Sequence, residues 1–397
     1  MRALSPIPMP FLVATAAGLP EQHYPQAELT AQIQALWAPE GVNLDRVASL
    51  HANTTIETRY TAEPLPRYLE MDGWGDLNQA YLRDAVGMAE RALVALLDQV
   101  DLGFEDIAHL AFFSTTGIAV PSVDARLMNR LPFAPTLKRT PVYGLGCAAG
   151  AAGLARVSDY LVGHPTEAAI VLTVETCSLT IQPHDVSVAN LIATGLFGDA
   201  TAAVLIAGDE HPLAGRNASA GRPAPLARPT HSRGDSQPVP LEDVAVRVSG
   251  TAPAPRVVGT RSVFFPGTER HMGWDVTDLG MKIVLAGDVP TTAKTGLRGP
   301  VEDFLAEHGL GIADIGRFLC HPGGPKVVDA IEEGLGLEPG RLDDTRDLLR
   351  RVGNVSSTSV LLLLDEAMRA AAEPAGTWGL VLAMGPGFGA ELVLIRW

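Results

Sequence analysis

Cysteine is scarce in this chain: three residues in 397, Cys147, Cys177 and Cys320, with no Cys-x-x-Cys spacing. That rules out a disulfide framework or a zinc knuckle as the basis of the fold, and makes a reducing, cytoplasmic compartment the expected home. The ten histidines include no His-x-x-x-His pair, so metal ligation is not expected either. Positive charge is also short, with 30 Lys and Arg against 45 Asp and Glu and a formal net charge of -15. An acidic chain of this kind argues against a nucleic-acid partner and against adsorption to anionic membranes. No apolar run reaches the length of a membrane span, and Pro6, Pro8 and Pro10 interrupt an N-terminus that lacks a basic leader. With 47% hydrophobic residues, a large core in one two-lobed unit is affordable.

One of the three cysteines stands apart. Cys147 lies in Tyr143-Gly-Leu-Gly-Cys-Ala-Ala-Gly-Ala-Ala-Gly153, where a turn meets an apolar helix. Small neighbours allow a carbonyl to approach the sulfur, and the start of a helix favours thiolate over thiol. The bland reading is a buried thiol packed as a small hydrophobe. Cys320, inside an apolar strand, fits that bland reading.

Partners for a nucleophile follow in the second half. Phe318-Leu-Cys-His321-Pro-Gly-Gly324 ends an apolar strand in a histidine followed by a loop that cannot be regular structure. Val352-Gly-Asn354-Val-Ser-Ser-Thr-Ser359 puts Asn354 near the start of an apolar helix, where an ordinary N-cap is the simpler reading.

An internal repeat links these segments. Leu102-Gly-Phe-Glu-Asp-Ile107 recurs as Leu310-Gly-Ile-Ala-Asp-Ile315 at an offset of 208, each followed by an apolar strand. A shift of 207 carries Gly146-Cys147 onto Gly353-Asn354, so Cys147 and Asn354 are expected at equivalent positions of two related halves. Strands alternating with helices in each half predict an α/β, five-layered αβαβα arrangement of the thiolase type. The expected organisation is a first half over 1–210 carrying the cysteine, a flexible Pro/Ala/Gly/Arg-rich insertion over 211–256, and a second half over 257–397 carrying His321 and Asn354.

The chain resembles type III polyketide synthases, the chalcone synthase-like family, along nearly its whole length. The resemblance rests on Tyr143-Gly-Leu-Gly-Cys147-Ala-Ala-Gly, Leu196-Phe-Gly-Asp199, His321-Pro-Gly-Gly-Pro325, Gly353-Asn354-Val-Ser-Ser357 and Gly385-Pro-Gly-Phe-Gly389, in that order. It implies Cys147 as the acyl-accepting nucleophile, His321 as its base and ion-pair partner, and Asn354 as a donor to developing negative charge. It further implies acyl-CoA and malonyl-CoA as substrates, no resident cofactor, and a homodimer in which Gly117 to Pro121 reaches toward the partner's cavity.

Pocket positions implied by the same matches are Thr115, Thr116, Glu175, Cys177, Thr180, Phe197 as a gatekeeper, Ile283, Ser356, and the loop Gly385, Pro386 and Gly387. Thr115, Glu175 and Ser356 resemble a polar trio that steers aldol cyclisation. Ile283 stands where plant members carry a second gating phenylalanine, a departure expected to widen or redirect the cavity. For the coenzyme A phosphates the matches leave Arg46, with Asn53 in place of a lysine; Lys326, Arg139, Arg261 or Arg270 are the alternatives. The expected activity is a synthase primed by a long-chain fatty acyl-CoA and releasing an alkylpyrone or alkylresorcinol. Its rivals are a malonyl-primed tetrahydroxynaphthalene synthase, a ketoacyl synthase III that stops after one condensation, and, from other classes, a thioester hydrolase or a protein that only binds acyl-CoA.

Overall fold

The computed structural model describes residues 9–71, 73–222, 253–278 and 280–397. Its centre is a nine-stranded sheet in the spatial order Ile315–Cys320, Trp378–Gly385, Gly389–Arg396, Arg256–Phe264, Phe11–Gly18, Asp199–Ala207, Ala168–Thr176, Ile107–Phe113 and Lys138–Val142. Apart from the last strand, the order reads the same from both ends. Each half contributes an outer parallel pair followed inward by antiparallel strands. The two wings are joined in the middle by a single register pair, Phe11 with Arg256.

Two helices lie between the wings. Ala149–Val162 packs on strands of both halves, and so does Ser359–Ala370. Most residues of each are buried, ten of 14 and nine of 12, as a helix enclosed on more than one side requires. The long helix Gly73–Leu97 covers the outer face of the first wing, while Val289–Gly296, Arg298–Glu307 and Pro325–Leu335 cover the second. Five layers result, as expected from the sequence.

The repeat is visible in detail. In the first half Gly103 N–H donates to Asp106 Oδ2 at 2.8 Å ahead of Ile107–Phe113, and in the second Gly311 N–H donates to Asp314 Oδ2 at 2.7 Å ahead of Ile315–Cys320. The expected equivalence of Cys147 and Asn354 does not hold, however. The turn Gly146–Ala148 feeds the helix beginning at Ala149, and the turn Ser356–Thr358 feeds the helix beginning at Ser359. Gly146 (φ 49°) and Ser356 (φ 51°) share the same left-handed backbone, so from 146 to 356 the offset is 210. The connection in the second half is longer, and it pairs Cys147 with Ser357 while leaving Asn354 upstream of the turn.

The small residues after Cys147 have a packing role that the sequence did not reveal. A Cβ on Gly150 would lie 2.2 Å from the Ser357 carbonyl oxygen, and one on Gly153 would lie 2.7 Å from Val171. Gly150 lets the two halves close on each other, and Gly153 lets its helix close on the sheet of its own half. Most of the insertion expected over 211–256 falls on 223–252, outside the described residues. Its flanks are not loose: Ser219 is fully buried and its hydroxyl donates to Gln99 Oε1 at 2.8 Å, while Ala254 N–H donates to Gly215 O at 3.1 Å. For 211–222 and 253–256 the flexible reading is therefore corrected.

Gly150→Ala is expected to lower the urea-unfolding free energy by about 3 kcal/mol, because backbone rather than a movable side chain occupies the space. Gly163→Ala, whose nearest neighbour would be 3.5 Å away, is expected to change it by less than about 1 kcal/mol.

Candidate active site

The strand Ile315–Cys320 delivers His321 to the C-terminal edge of the sheet, and His321 N–H extends the ladder by donating to Leu382 O at 2.8 Å. Pro-Gly-Gly then releases the chain into Pro325–Leu335, with Gly324 at φ 152°. Cys147 arrives from the other half at the start of a buried helix. Asn354 is fixed by backbone pairing to the segment after Val188–Leu196: its N–H donates to Leu196 O at 2.9 Å, and its carbonyl accepts from Gly198 N–H at 3.0 Å. Its side chain is pinned as well. Oδ1 accepts from Ser356 N–H at 2.9 Å and Nδ2 donates to Gly323 O at 3.3 Å, which leaves the second amide hydrogen without a partner among the described residues.

Cys147, His321 and Asn354 line one cavity with Thr116, Cys177, Phe197, Ile283, Ser356 and Pro386, enclosing an empty volume of about 740 Å³ with its mouth. That size suits a small-molecule site. The three central residues of the sequence reading are thus brought together. Thr180 lines a second, adjoining cavity of about 730 Å³. Cys177, Phe197, Trp274 and Ile283 line both. Gly385 and Gly387 line neither; a Cβ on Gly385 would sit 2.5 Å from Leu145 O, so the glycine lets the loop close over the nucleophile turn, while Pro386 supplies the wall. Arg46 and Lys326 are exposed and line neither cavity. Arg139, Arg261 and Arg270 are engaged with Asp124, Glu307 and Asp275.

Behind the nucleophile lies a buried polar network. Cys147 Sγ donates to Ser356 Oγ at 3.6 Å. The Glu175 carboxylate accepts from the hydroxyls of Ser356 at 3.3 Å and Ser357 at 2.5 Å, from Thr116 Oγ1 at 3.0 Å and from Thr115 N–H at 3.1 Å. The expected trio of Thr115, Glu175 and Ser356 is thus connected, Thr115 through its backbone N–H, while the neighbouring Thr116 adds a hydroxyl to Glu175 and Thr115 Oγ1 accepts from Gly146 N–H at 3.1 Å, steadying the nucleophile turn. Glu175 is completely buried and reaches the cavity only through these hydroxyls.

Electrostatics at the site favour neutral forms. Burial pushes the Cys147 thiol up to about 12, against a smaller opposing effect from the Ser356 hydrogen bond. Burial alone brings His321 down to about 3. No hydrogen bond joins the two side chains among the described residues, and His321 Nδ1 has no partner there. A thiolate can exist here only if its proton moves to a nearby base that keeps the pair of charges together. Burial also raises Glu175 to about 7, outweighing the donors that favour its ionised form.

Trp274 was missed from the sequence. It sits on the strand Met272–Thr277, directly opposite Ile283 on Gly280–Leu285. The indole takes up space beside Ile283, so the cavity is not simply widened by the loss of a phenylalanine there. Two short runs around a turn, with a tryptophan in the first, were the available signal. Arg59 was also passed over, although it is buried among these residues and donates from Nη1 to the Phe197 carbonyl at 2.6 Å.

Two measurements probe this electrostatics. His321→Ala is expected to slow iodoacetamide alkylation of Cys147 at pH 7 by roughly tenfold or more, since without a base the thiol keeps its proton; an unchanged rate would remove His321 from that role. For Glu175, the unfolded carboxyl releases its proton near 4.5 and the folded one near 7. The folded state binds the extra proton between those values, so stability falls as pH rises through that window and levels off above it. Relative to Glu175→Gln, wild type is expected to lose about 3 kcal/mol between pH 4.5 and pH 7.5 in urea titrations.

Comparison with known proteins agrees with this geometry. The family described as Chalcone and stilbene synthases, N-terminal domain, matches residues 10–210, and its C-terminal counterpart matches residues 256–397. A 1,3,6,8-tetrahydroxynaphthalene synthase from Streptomyces peucetius subsp. caesius is 40% identical over 97% of this chain and 93% of its own length. One from Streptomyces coelicolor is 29% identical over 98% and 92%. The crystal structure of the 1,3,6,8-tetrahydroxynaphthalene synthase of Streptomyces coelicolor A3(2) superposes with a TM-score of 0.80 at 28% identity, covering 98% of this chain and 99% of that one. Germicidin synthase, at 20% identity and a TM-score of 0.79, shares the fold. With both halves matched and a cysteine, a histidine and an asparagine converging on one cavity, the chain belongs to the chalcone and stilbene synthase family and is a type III polyketide synthase, an acyltransferase that condenses acyl-CoA units.

Proposed function

We propose that this enzyme is primed by malonyl-CoA, extends the chain with further malonyl-CoA, and releases a tetrahydroxynaphthalene-type aromatic product. The observation that carries the reading is the 40% identity, along 97% of the chain, with a synthase of that name. Cys147 Sγ attacks the thioester carbonyl of the incoming acyl-CoA, its proton passes to His321, and coenzyme A leaves as the thiol. A second malonyl-CoA loses carbon dioxide, and the electron pair of the broken bond becomes an enolate. The free amide hydrogen of Asn354 and an imidazole N–H of His321 stabilise that enolate without neutralising it. Its carbon attacks the Cys147 thioester, transferring the acyl group and lengthening it by two carbons. No resident cofactor is required, because both thioesters arrive activated.

A long-chain acyl starter is the second reading, supported by the adjoining cavity, whose walls include Leu29, Ile33, Leu36 and Leu65. Such walls could hold an aliphatic tail. A homodimer accompanies either reading: Ile118 and Val120 stand exposed in the segment that the resemblance assigns to the partner's cavity.

Incubation with radiolabelled malonyl-CoA, alone and with acyl-CoA starters from acetyl to stearoyl, separates the readings by mass spectrometry of the products. Naphthalenetetrol from malonyl-CoA alone is expected; alkylpyrones or alkylresorcinols formed only with long starters would establish the second reading instead. Cys147→Ala is expected to abolish product, and Asn354→Ala to lower the decarboxylation rate about a hundredfold, the loss of roughly 3 kcal/mol of barrier stabilisation. Starter acids released while malonyl-CoA survives would contradict the first reading and the second.

A further inference from the structure

The cavity adjoining the catalytic one is mostly apolar, but one charged residue lines it: Arg59. Arg59 comes from the short strand Thr58–Thr61 and is only 4% exposed. Its Nε donates to Gln26 Oε1 at 2.8 Å and its Nη1 to Phe197 O at 2.6 Å, both uncharged acceptors. Nη2 has no hydrogen-bond partner among the described residues, and no ion pair joins Arg59 to a carboxylate there. Asp199 is close enough to influence Arg59, yet its carboxylate is spent on Ala62 N–H and on the Ser178 N–H and hydroxyl. A buried guanidinium left in this state is costly, and a carboxylate facing it would complete its fork of donors.

We propose that this second cavity is a substrate pocket in which Arg59 binds the carboxylate at the far end of an acyl chain carried on Cys147. The inference rests on the condensation chemistry proposed above and specifies the starter class: a dicarboxylic acyl group. As condensation adds two carbons at a time next to Sγ, the starter end is pushed away from the nucleophile. Cys177, Phe197, Trp274 and Ile283 line both cavities and form the boundary that the displaced end would cross. Arg59 holds the backbone of one of them, so the anchor and the gate are mechanically joined.

The test offers glutaryl-CoA and hexanoyl-CoA, similar in length but differing in terminal charge, in competition with malonyl-CoA as extender, and counts multiply extended products from each starter. Wild type is expected to yield glutaryl-primed products. Arg59→Met is expected to reduce the ratio of glutaryl-primed to hexanoyl-primed products at least tenfold, with Arg59→Lys falling between. Should Arg59→Met fail to fold, Leu36→Glu decides: a carboxylate on that wall competes for Arg59 and is expected to lower the same ratio. An unchanged ratio, a parallel fall of both products, or no use of glutaryl-CoA by wild type would overturn the inference. Loss of all condensation in wild type would instead overturn the proposed function.

Discussion

The site depends on one short ladder of backbone hydrogen bonds, in which Asn354 of the second half pairs with Leu196 and Gly198 of the first. The gate and the amide donor are both tied to it. Phe197 is held between the two bonded residues, so the gating side chain and the amide donor share one piece of backbone. Gly353, at φ 74°, permits this closeness: a Cβ there would lie 2.8 Å from Leu196 O and 2.9 Å from Arg59 Cδ. The stem of Arg59 thus lies against the ladder from one side while its Nη1 holds the Phe197 carbonyl. Relative motion of the halves would change the gate and the donor together, which makes rigid packing at the junction a condition of catalysis rather than only of stability.

Low dielectric explains the choice of groups. Burial in the cavity opposes charge on both Cys147 and His321 and so favours the thiol and the neutral imidazole. A fixed cation would neutralise an enolate and blunt its attack, whereas neutral N–H donors stabilise it and leave it nucleophilic. Glu175 fits the same logic. Kept behind four donors and raised toward neutrality, it does not place a full negative charge beside the sulfur at lower pH, and its hydroxyl ring gives Ser356 a fixed orientation toward Sγ.

Much of this was legible in the sequence because the halves repeat. Leu102-Gly-Phe-Glu-Asp and Leu310-Gly-Ile-Ala-Asp build the same capped turn, and that periodicity fixed the layered fold without any long-range contact being known. Cys147, His321 and Asn354 were legible because each follows an apolar strand or opens an apolar helix with glycine beside it. The equivalence of Cys147 with Asn354 was misread since a repeat offset measured at one turn need not survive a loop of different length; only the matching left-handed φ of Gly146 and Ser356 reveals the shift. The role of Thr116 beside Thr115 was not legible, because both lie in the bend after Ile107–Phe113, where no strand alternation tells which hydroxyl meets Glu175. Trp274 and Arg59 escaped for a related reason: their importance comes from what lies across a hairpin or across the junction of halves, and a linear motif does not carry that.

Cavity shape is the remaining determinant, and it is set by residues from unrelated parts of the chain. Trp274 and Ile283 face each other across a hairpin, Phe197 hangs from the ladder, and Cys177 begins the turn after Ala168–Thr176. Together they form the boundary between two spaces of similar size, about 740 and 730 Å³. A substitution at any one of the four changes the passage without touching the nucleophile, the base or the amide donor. Reaction chemistry and product length are therefore separable in this fold: the first is locked by buried hydrogen bonds between the halves, while the second depends on side-chain volume at a boundary with few polar constraints. That separation gives a physical reason why members of one family, with the same condensing apparatus, can differ in the chain they build.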